Sequence, residues 1–330
     1  MLKRILTIAS VSVIASYLYA KLLEKRSYKS FLYEIMIRAT KMKQPFEKKA
    51  NAQKALEFVK VQTQGEYEGT NYNFDNAVYT KKIHNVTNYI VNDKEDRQQK
   101  VVIYIHGGAW FQDPLPYHFE YIDKLATAFD AKVVMPIYPK IPHATYKETF
   151  ELLEVIYRRE LEQKVSSERV VIMGDSAGGQ IALSFAQYLK TVNMSQPSDI
   201  VMISPVLDGT FSHPEVYNYE KVDPMLGVEG SKYLISLWAG ELSLTDWRVS
   251  PLYGAFNGLG KMTISIGTKE TLYPDAVKLS QVLNAQGIDH NFIPGYKLFH
   301  IHPIFPIPER DQFINKLKKI IDWYNHVLTP

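Results

Sequence analysis

The sequence predicts an α/β fold in which a mostly parallel central sheet carries helices on both faces. Two observations support this prediction. From Lys100 onward, short apolar runs rich in valine and isoleucine alternate with segments of helical periodicity. Within this alternation, the run Val170–Met173 breaks at glycine-flanked residues, and a helical pattern follows from Gln180 to Lys190. Strands that alternate with helices through short connections form parallel sheets, because each crossover helix returns the chain to the same edge.

The predicted elements follow one another along the whole chain. Strands are predicted at Val101–Ile105, Val133–Tyr138, Val170–Met173, Ile200–Ile203, Met262–Ile266 and His290–Pro294. Helices of the alternating region are predicted at Tyr117–Phe129, Tyr146–Gln163, Gln180–Lys190, Asp275–Gln286 and Glu309–His326. Ahead of this region, helical spacing covers Ser30–Met42 and Phe46–Val61, and Tyr67–Ile90 is predicted to form loop and short strands.

The run Gly174-Asp175-Ser176-Ala177-Gly178 lies between a predicted strand and a predicted helix. A serine on a sharp turn in this context is a nucleophile elbow, in which small neighbours leave its hydroxyl exposed. The N–H group of Ala177 would then lie at a helix N-terminus, where it can donate to an oxyanion. The five-residue pattern alone also fits an ordinary strand–helix turn with an N-cap serine, so the other motifs must decide.

A nucleophilic serine needs a base, an orienting carboxylate and N–H donors for the oxyanion. The loop His106-Gly107-Gly108-Ala109-Trp110 directly follows the first strand of the alternating region. Its two glycines allow the main chain to approach a substrate carbonyl closely. We therefore predict oxyanion-binding groups at Gly107, Gly108 and Ala109, in addition to Ala177. His106 is predicted to organise this loop rather than to act as the base.

Candidates for the acid and the base follow the later strands. Glu270 and Asp275 both come after the Met262–Ile266 strand, and Glu270 is favoured because it lies nearer the strand end. Asp275 is predicted to cap the helix that follows. His300 and His302 lie in the loop after the last predicted strand, and alternate residues of an extended loop point in opposite directions, so one of them is expected to face Ser176. A His-x-His metal pair is the alternative, but no third ligand is evident, so neither a metal nor a cofactor is predicted.

Taken together, the motifs resemble those of the hormone-sensitive-lipase-like branch of α/β-hydrolase esterases, bacterial type. The runs Ser204-Pro205-Val206-Leu207-Asp208 and Asp223-Pro224-Met225-Leu226 contribute to the resemblance, which extends from about residue 95 to the end. It implies an α/β-hydrolase fold with a helical lid, Ser176 as nucleophile, Glu270 as acid and His300 as base. It also implies hydrolysis of carboxylic esters with short-to-medium acyl chains. Two departures are Glu270 where Asp is commoner, and Ala109 where the loop commonly has glycine.

The chain is expected to divide into three parts. Residues 1–24 are predicted to be a hydrophobic anchor or signal, and residues 25–95 a cap or lid segment. Residues 96–330 are the predicted catalytic domain, with a lid insertion at about 208–247 that is rich in aromatic residues. Absence of cysteine excludes disulfides, thiolate metal sites and a cysteine nucleophile.

The N-terminus combines an apolar run with positive charge. Residues 1–50 contain 11 Lys and Arg against 3 Asp and Glu, and the run Ile5–Ala20 is flanked by Lys3-Arg4 and by Lys21. We predict an uncleaved membrane anchor, with a cleaved secretory signal or an interfacial or core-packed amphipathic helix as alternatives. A basic arm on a slightly acidic body favours an anionic membrane surface as partner over nucleic acid.

The function predicted from these observations is a membrane-associated serine esterase that acts on small-molecule esters through an acyl-enzyme. The same groups would also serve for hydrolysis of amides, lactones or acetylated sugars. A ligand-binding protein without catalysis is the alternative from another class, but such proteins usually lack the nucleophile or the base.

Overall fold

One sheet of eight strands is formed within residues 12–163 and 165–321, the part of the chain that the computed structural model describes. The strands are β1 (Val78–Ile83), β2 (Val86–Val91), β3 (Val101–Ile105), β4 (Lys132–Pro136), β5 (Val170–Asp175), β6 (Asp199–Ile203), β7 (Lys261–Gly267) and β8 (His290–Gly295). They lie in the order β1-β2-β4-β3-β5-β6-β7-β8. The pairs β1–β2 and β2–β4 are antiparallel and all other pairs are parallel, which confirms the predicted mostly parallel sheet.

The two antiparallel strands at one edge form a hairpin in the segment predicted as loop and short strands. His84 and Asn85 connect β1 to β2, with φ angles of 51° and 60°. Two successive left-handed residues make the turn whose twist matches that of paired strands. This hairpin extends the six predicted strands to eight.

Helices of the strand–helix region pack against the sheet, and two N-terminal helices pack against each other. The helices are α1 (Tyr28–Ala39), α2 (Gln44–Glu47), α3 (Lys49–Gln62), α4 (Pro116–Phe129), α5 (Tyr146–Glu162), α6 (Ala177–Thr191), α7 (Val216–Glu220), α8 (Val228–Trp238), α9 (Tyr273–Ala285) and α10 (Pro308–Ile320). Helix α4 packs against α10, and α5 packs against α6. Helices α2 and α3 pack against α8, which belongs to the segment between β6 and β7.

Several predicted helices differ from the structure in their bounds; the helix predicted at Ser30–Met42 is Tyr28–Ala39, and the one predicted at Gln180–Lys190 is Ala177–Thr191. The helix predicted at Phe46–Val61 is divided into α2 and α3, because Lys48 has an extended main chain with φ −142° and ψ 147°. Helix α9 begins at Tyr273, so Asp275 lies in its first turn and is not its N-cap. The last five residues of the helix predicted at Glu309–His326 lie outside the described residues.

The N-terminal apolar run is described only in part. Residues 1–11 lie outside the described residues, residues 12–18 are helical, and a π-helical turn spans Tyr19–Leu23. Within the described ranges, no helix combines the length and the apolar character that a bilayer crossing requires. Several apolar side chains of this stretch are exposed, among them Leu22 and Leu23.

Candidate active site

Ser176 lies on a sharp turn between the end of β5 and the start of α6. Its φ of 54° and ψ of −119° are strained for a residue with a side chain, and such strain concentrates at functional sites. Close approach of the main chain makes the flanking glycines necessary. A Cβ atom at Gly178 would lie 1.9 Å from the carbonyl oxygen of Ile105, and one at Gly174 would lie 2.3 Å from the carbonyl oxygen of Gly178. The local sequence therefore forms the predicted elbow for steric reasons.

Three side chains from distant parts of the chain meet at this turn. The Nε2 atom of His300 lies 2.9 Å from Ser176 Oγ, and its Nδ1 atom lies 2.8 Å from Glu270 Oε2. Ser176, Glu270 and His300 are all buried. A carboxylate at Nδ1 makes this nitrogen the donor, which leaves Nε2 free to accept the hydroxyl proton of the serine.

The second carboxylate oxygen of Glu270, Oε1, is bound by groups for which no role was predicted from the sequence. Ser204 Oγ donates to Glu270 Oε1 at 2.8 Å, and the Gly267 N–H group also donates to this oxygen. Ser204 Oγ in turn accepts the N–H group of Ile301 at 3.0 Å. One hydroxyl therefore joins the acid to the residue that follows His300. Its position directly after β6, at the edge where Ser176 lies, was the signal available in the sequence.

The charges of the buried pair depend on each other. Burial raises the pKa of Glu270 above 4.5, and the hydrogen bond with His300 opposes this rise. Burial alone would lower the pKa of His300, but its hydrogen bond with Glu270 and the negative charge of that carboxylate outweigh burial and raise it above 6.5. The carboxylate thus stabilises the imidazolium that would form when His300 takes a proton.

The alternative acid and base lie elsewhere. Asp275 is buried and is not the partner of His300, whose two ring nitrogens bind Glu270 and Ser176. Burial together with the charge of Asp208 raises the pKa of Asp275 to about 7. Burial lowers the pKa of His302 to about 3, and its ring packs against Gly295. Among the described residues, no group of three or more His, Asp or Glu side chains is arranged to hold a metal ion.

The glycine loop after β3 lies beside the elbow. Gly108 has φ 125°, and a Cβ atom there would lie 2.8 Å from the carbonyl oxygen of Gln112. Ala109 and Trp110 follow with φ of 49° and 63°, so the loop makes a tight left-handed turn. The indole Nε1 of Trp110 donates to Gln180 Oε1 at 3.0 Å and ties the loop to α6.

One predicted oxyanion donor has a different partner. The N–H group of Gly107 donates to Asp175 Oδ1 at 2.9 Å, so it is not free for a substrate. The N–H groups of Gly108 and Ala109 are the donors that remain in this loop. Ala177 is the first residue of α6, and a first-turn N–H group has no acceptor within its own helix.

Asp175 connects the elbow to the loop through a buried network. Its Oδ1 atom also accepts the Tyr104 hydroxyl at 2.6 Å, and its Oδ2 atom lies 3.2 Å from His118 Nε2. The Leu115 N–H group donates to His118 Nδ1, so the proton of the neutral ring is on Nε2 and points to Asp175. Burial would raise the pKa of Asp175, but His118 and the other donors hold it below 3.8. His118 lies in α4, and its pairing with Asp175 was not predicted from the sequence.

His106 has the structural role that was predicted for it. Its ring is fully buried, stacks on Tyr138 with 4.5 Å between ring centres, and hydrogen-bonds through Nδ1 with the carbonyl oxygen of Gly107 at 2.6 Å. Burial holds its pKa well below 6.5. His106 therefore packs behind the loop as a neutral ring.

Comparisons with known proteins agree with this geometry. A family model described as the alpha/beta hydrolase fold matches residues 102–302. An esterase from Acinetobacter venetianus is 29% identical over 186 residues, which cover 55% of this chain and 60% of that protein. The matched segment thus spans less than two thirds of that relative.

Solved structures share the fold over most of the chain. A crystal structure from Staphylococcus aureus, proposed to be an esterase, is 27% identical with a TM-score of 0.81, covering 86% of this chain and 96% of that chain. An esterase of the bacterial hormone-sensitive lipase family has a TM-score of 0.75 at 21% identity, covering 89% of this chain and 97% of that chain. This likeness shows the fold that the two proteins share.

The fold and family predicted from the motifs are therefore confirmed. The matched region begins in β3 and ends at His302, and it contains Ser176, Glu270 and His300. Because a family model matches more than half of the chain, this protein belongs to the α/β-hydrolase-fold family.

Proposed function

We propose that the protein is a serine hydrolase that cleaves carboxylic esters. One observation carries this proposal: His300 lies between Ser176 Oγ at 2.9 Å and Glu270 Oε2 at 2.8 Å. These contacts have the lengths and the order that proton transfer from serine to histidine requires. The similarity to a bacterial esterase supports the reaction class.

The acylation step begins at the serine. Ser176 Oγ attacks the acyl carbon while its proton passes to His300 Nε2, and the carbonyl electron pair moves to the oxygen. Glu270 stabilises the imidazolium that forms. Collapse of the tetrahedral intermediate breaks the bond to the alkoxide, which takes the proton from His300 and leaves as the alcohol. The acyl group is then held as an ester of Ser176.

Deacylation repeats these steps with water. His300 takes a proton from water, the hydroxide attacks the acyl carbon, and Ser176 leaves with the proton that His300 returns. In both steps the N–H groups of Gly108, Ala109 and Ala177 are the proposed donors to the oxyanion. Such donors stabilise the transition state because they are already oriented when charge develops.

A two-part cap over the site is proposed to limit the substrate. Helix α8 of the inserted segment packs against α2 and α3 of the N-terminal segment. A Cβ atom at Gly230 would lie 2.6 Å from the carbonyl oxygen of Pro45, so the two segments touch at main-chain distance. Ser176 is only 7% exposed. Enclosure of the nucleophile favours small esters with short-to-medium acyl chains.

The test is turnover of a series of chromogenic acyl esters by the full chain and by Ser176→Ala. We expect activity on short-to-medium chains that the variant loses. Activity of equal size in the variant would refute Ser176 as nucleophile. If a folded protein hydrolyses amides, lactones or acetylated sugars but none of these esters, the proposed substrate class is wrong.

We also propose that the N-terminus associates with an anionic membrane surface. Leu22 and Leu23 are 67% and 69% exposed, and Lys21 and Lys25 lie beside them. Exposed apolar side chains with flanking lysines bind the interface through burial and charge. The measurement is co-sedimentation with vesicles that contain anionic lipid. The full chain should be recovered in the pellet with the vesicles, and a Leu22→Ser, Leu23→Ser variant should stay in the supernatant. Equal recovery of both proteins in the supernatant would contradict the proposal.

A further inference from the structure

A buried cluster of charged side chains connects the N-terminal segment to the loop that carries Glu270. Lys269 Nζ lies 2.7 Å from Glu24 Oε1 and 3.1 Å from Glu34 Oε2. Arg26 binds the same two carboxylates, at 2.8 Å from Nε to Glu24 and 2.6 Å from Nη1 to Glu34. We call Glu24, Arg26, Glu34 and Lys269 the charge cluster.

The charge cluster is largely shielded from solvent, so each of its charges depends on the partners described above. The side chains of Arg26, Glu24 and Glu34 are 2%, 7% and 8% exposed, and that of Lys269 is 16% exposed. Burial alone would raise the pKa of Glu34, but cations led by Arg26 hold it below its ordinary value, so the group is ionised. A buried charge that loses its partner is costly, so the cluster resists displacement of any one member.

The cluster acts directly beside the catalytic acid. Lys269 precedes Glu270, and the main-chain N–H group of Thr271, which follows it, donates to Asp223 Oδ2 at 2.7 Å. Asp223 belongs to the inserted segment. Both neighbours of Glu270 are therefore bound by elements outside the sheet, one in the N-terminal segment and one in the insertion.

Ser204, Gly267 and His300 hold the carboxylate of Glu270. Within the loop, the Lys269 N–H group donates to the carbonyl oxygen of Leu298 and the Tyr273 N–H group donates to that of Glu270, both at 3.1 Å. The charge cluster adds a side-chain connection from this loop to the N-terminal segment. We propose that Lys269 is a positioning residue, through which Glu24 and Glu34 of the N-terminal segment hold the main chain of Glu270 in the geometry that orients His300. This inference rests on the proposed function of Glu270 as the acid.

The test compares Lys269→Met, Lys269→Arg and the matched control Lys261→Met. Lys261 lies at the opposite end of β7 and makes an exposed ion pair of 3.8 Å with Asp289. Each variant is titrated with a phosphonate that modifies Ser176, so that kcat is expressed per competent site. Thermal unfolding is measured in parallel, and kcat is recorded against pH.

We expect Lys269→Met to lower kcat per site by about tenfold with KM changed by less than about twofold, because misplacement of a positioned group acts on the transition state. The acidic limb of its kcat profile should move to lower pH, because Glu270 would hold the imidazolium less well. Lys269→Arg should restore most of kcat, and Lys261→Met should match the unmodified protein. If Lys269→Met leaves kcat per site unchanged and only lowers the unfolding temperature, the charge cluster contributes to stability alone, and the proposal is overturned.

Glu24→Gln provides the second test, including the case in which Lys269→Met does not fold. In the otherwise unmodified protein, Glu24→Gln should lower kcat per site by a smaller factor than Lys269→Met does, because Glu34 still binds Lys269. In the Lys269→Met background it should have no further effect on kcat, and equal effects in both backgrounds would overturn the proposal. Glu270→Gln separates the two levels: if it retains full kcat, the assignment of the acid has failed, whatever the lysine variants show.

Discussion

The main-chain N–H group of Gly107 donates to Asp175 Oδ1 at 2.9 Å, so the residue before Ser176 holds the loop of the proposed oxyanion donors. Tyr104 shares the same oxygen, and His118 donates to the other one. The carboxylate therefore receives three donors, and its position determines where Gly108 and Ala109 lie relative to Ser176.

We expect Asp175→Asn to lower kcat by about 100-fold with a smaller change in KM, because displaced oxyanion donors act on the transition state. An amide N–H group turned towards His118 would oppose one donor, and one turned towards Gly107 and Tyr104 would oppose two. The measurement is kcat on the best chromogenic ester. Asp130→Asn is the control, since Asp130 is exposed and pairs with Lys94 at the surface. A kcat within about twofold of the control would contradict the positioning role.

The pH profile tests the pairing of His300 with Glu270. The base must be neutral to act, so kcat should rise with pH through a pKa that Glu270 raises above 6.5. Glu270→Gln removes the negative charge that stabilises the imidazolium, so the acidic limb should move to lower pH. The kcat itself should fall by roughly 10³- to 10⁴-fold, because the amide cannot hold the required tautomer. A limb that stays in place in this variant would exclude Glu270 as the partner of His300.

Asp275 should affect stability rather than catalysis. Its pKa is raised from 3.8 to about 7, chiefly by burial. Between these two values the unfolded chain ionises while the native protein keeps the proton, so the free energy of unfolding falls as pH rises. Asp275→Asn removes this penalty and should be more stable by roughly 2–4 kcal/mol above about pH 7, with the gain lost below about pH 4.

The measurement for Asp275→Asn is denaturant unfolding at several pH values, accompanied by kcat. We expect kcat to be unchanged, because both ring nitrogens of His300 are bound by other residues, Glu270 and Ser176. Loss of activity in this variant would reverse the assignment of the acid in favour of Asp275.

Ser204→Ala should weaken both stability and turnover. The substitution leaves the buried N–H group of Ile301 without its acceptor and removes one donor from Glu270. We expect a loss of about 1–3 kcal/mol in unfolding free energy and a decrease of kcat by about tenfold. Chemical denaturation and steady-state kinetics provide the two readouts. Ser198→Ala is the control, since its hydroxyl donates to the carbonyl oxygen of Val170 at the opposite end of the sheet.

Local chemistry explains why the elbow at Ser176 could be predicted. Strand, glycine-flanked serine and helix are contiguous, and a Cβ atom at Gly174 would clash with the carbonyl oxygen of Gly178 in the same turn. The hairpin of β1 and β2 was less visible, because its pattern of polar and aromatic residues has little periodicity and its turn residues are His84 and Asn85 rather than glycine.

Long-range contacts explain what could not be predicted. The N–H group of Gly107 was predicted to be an oxyanion donor, but in the structure it binds Asp175, which is 68 positions away in the sequence. Ser204 and His118 bind residues 66 and 57 positions distant, and neither partner could be identified from spacing along the chain. Choice between Glu270 and Asp275 likewise depended on where β7 and β8 bring their loops.

The sequence by itself determined the fold class, the elbow at Ser176 and the candidates for acid and base, because periodicity and glycine placement act over a few neighbouring residues. Tertiary structure alone decided that Glu270 and His300 meet at Ser176 and that the N–H group of Gly107 binds Asp175. It also decided that Lys269 joins the N-terminal segment to the loop that carries Glu270. These choices depend on which strand ends lie side by side in the sheet and on which buried charges find partners there. Such partners are set by packing of the whole chain and not by spacing along it.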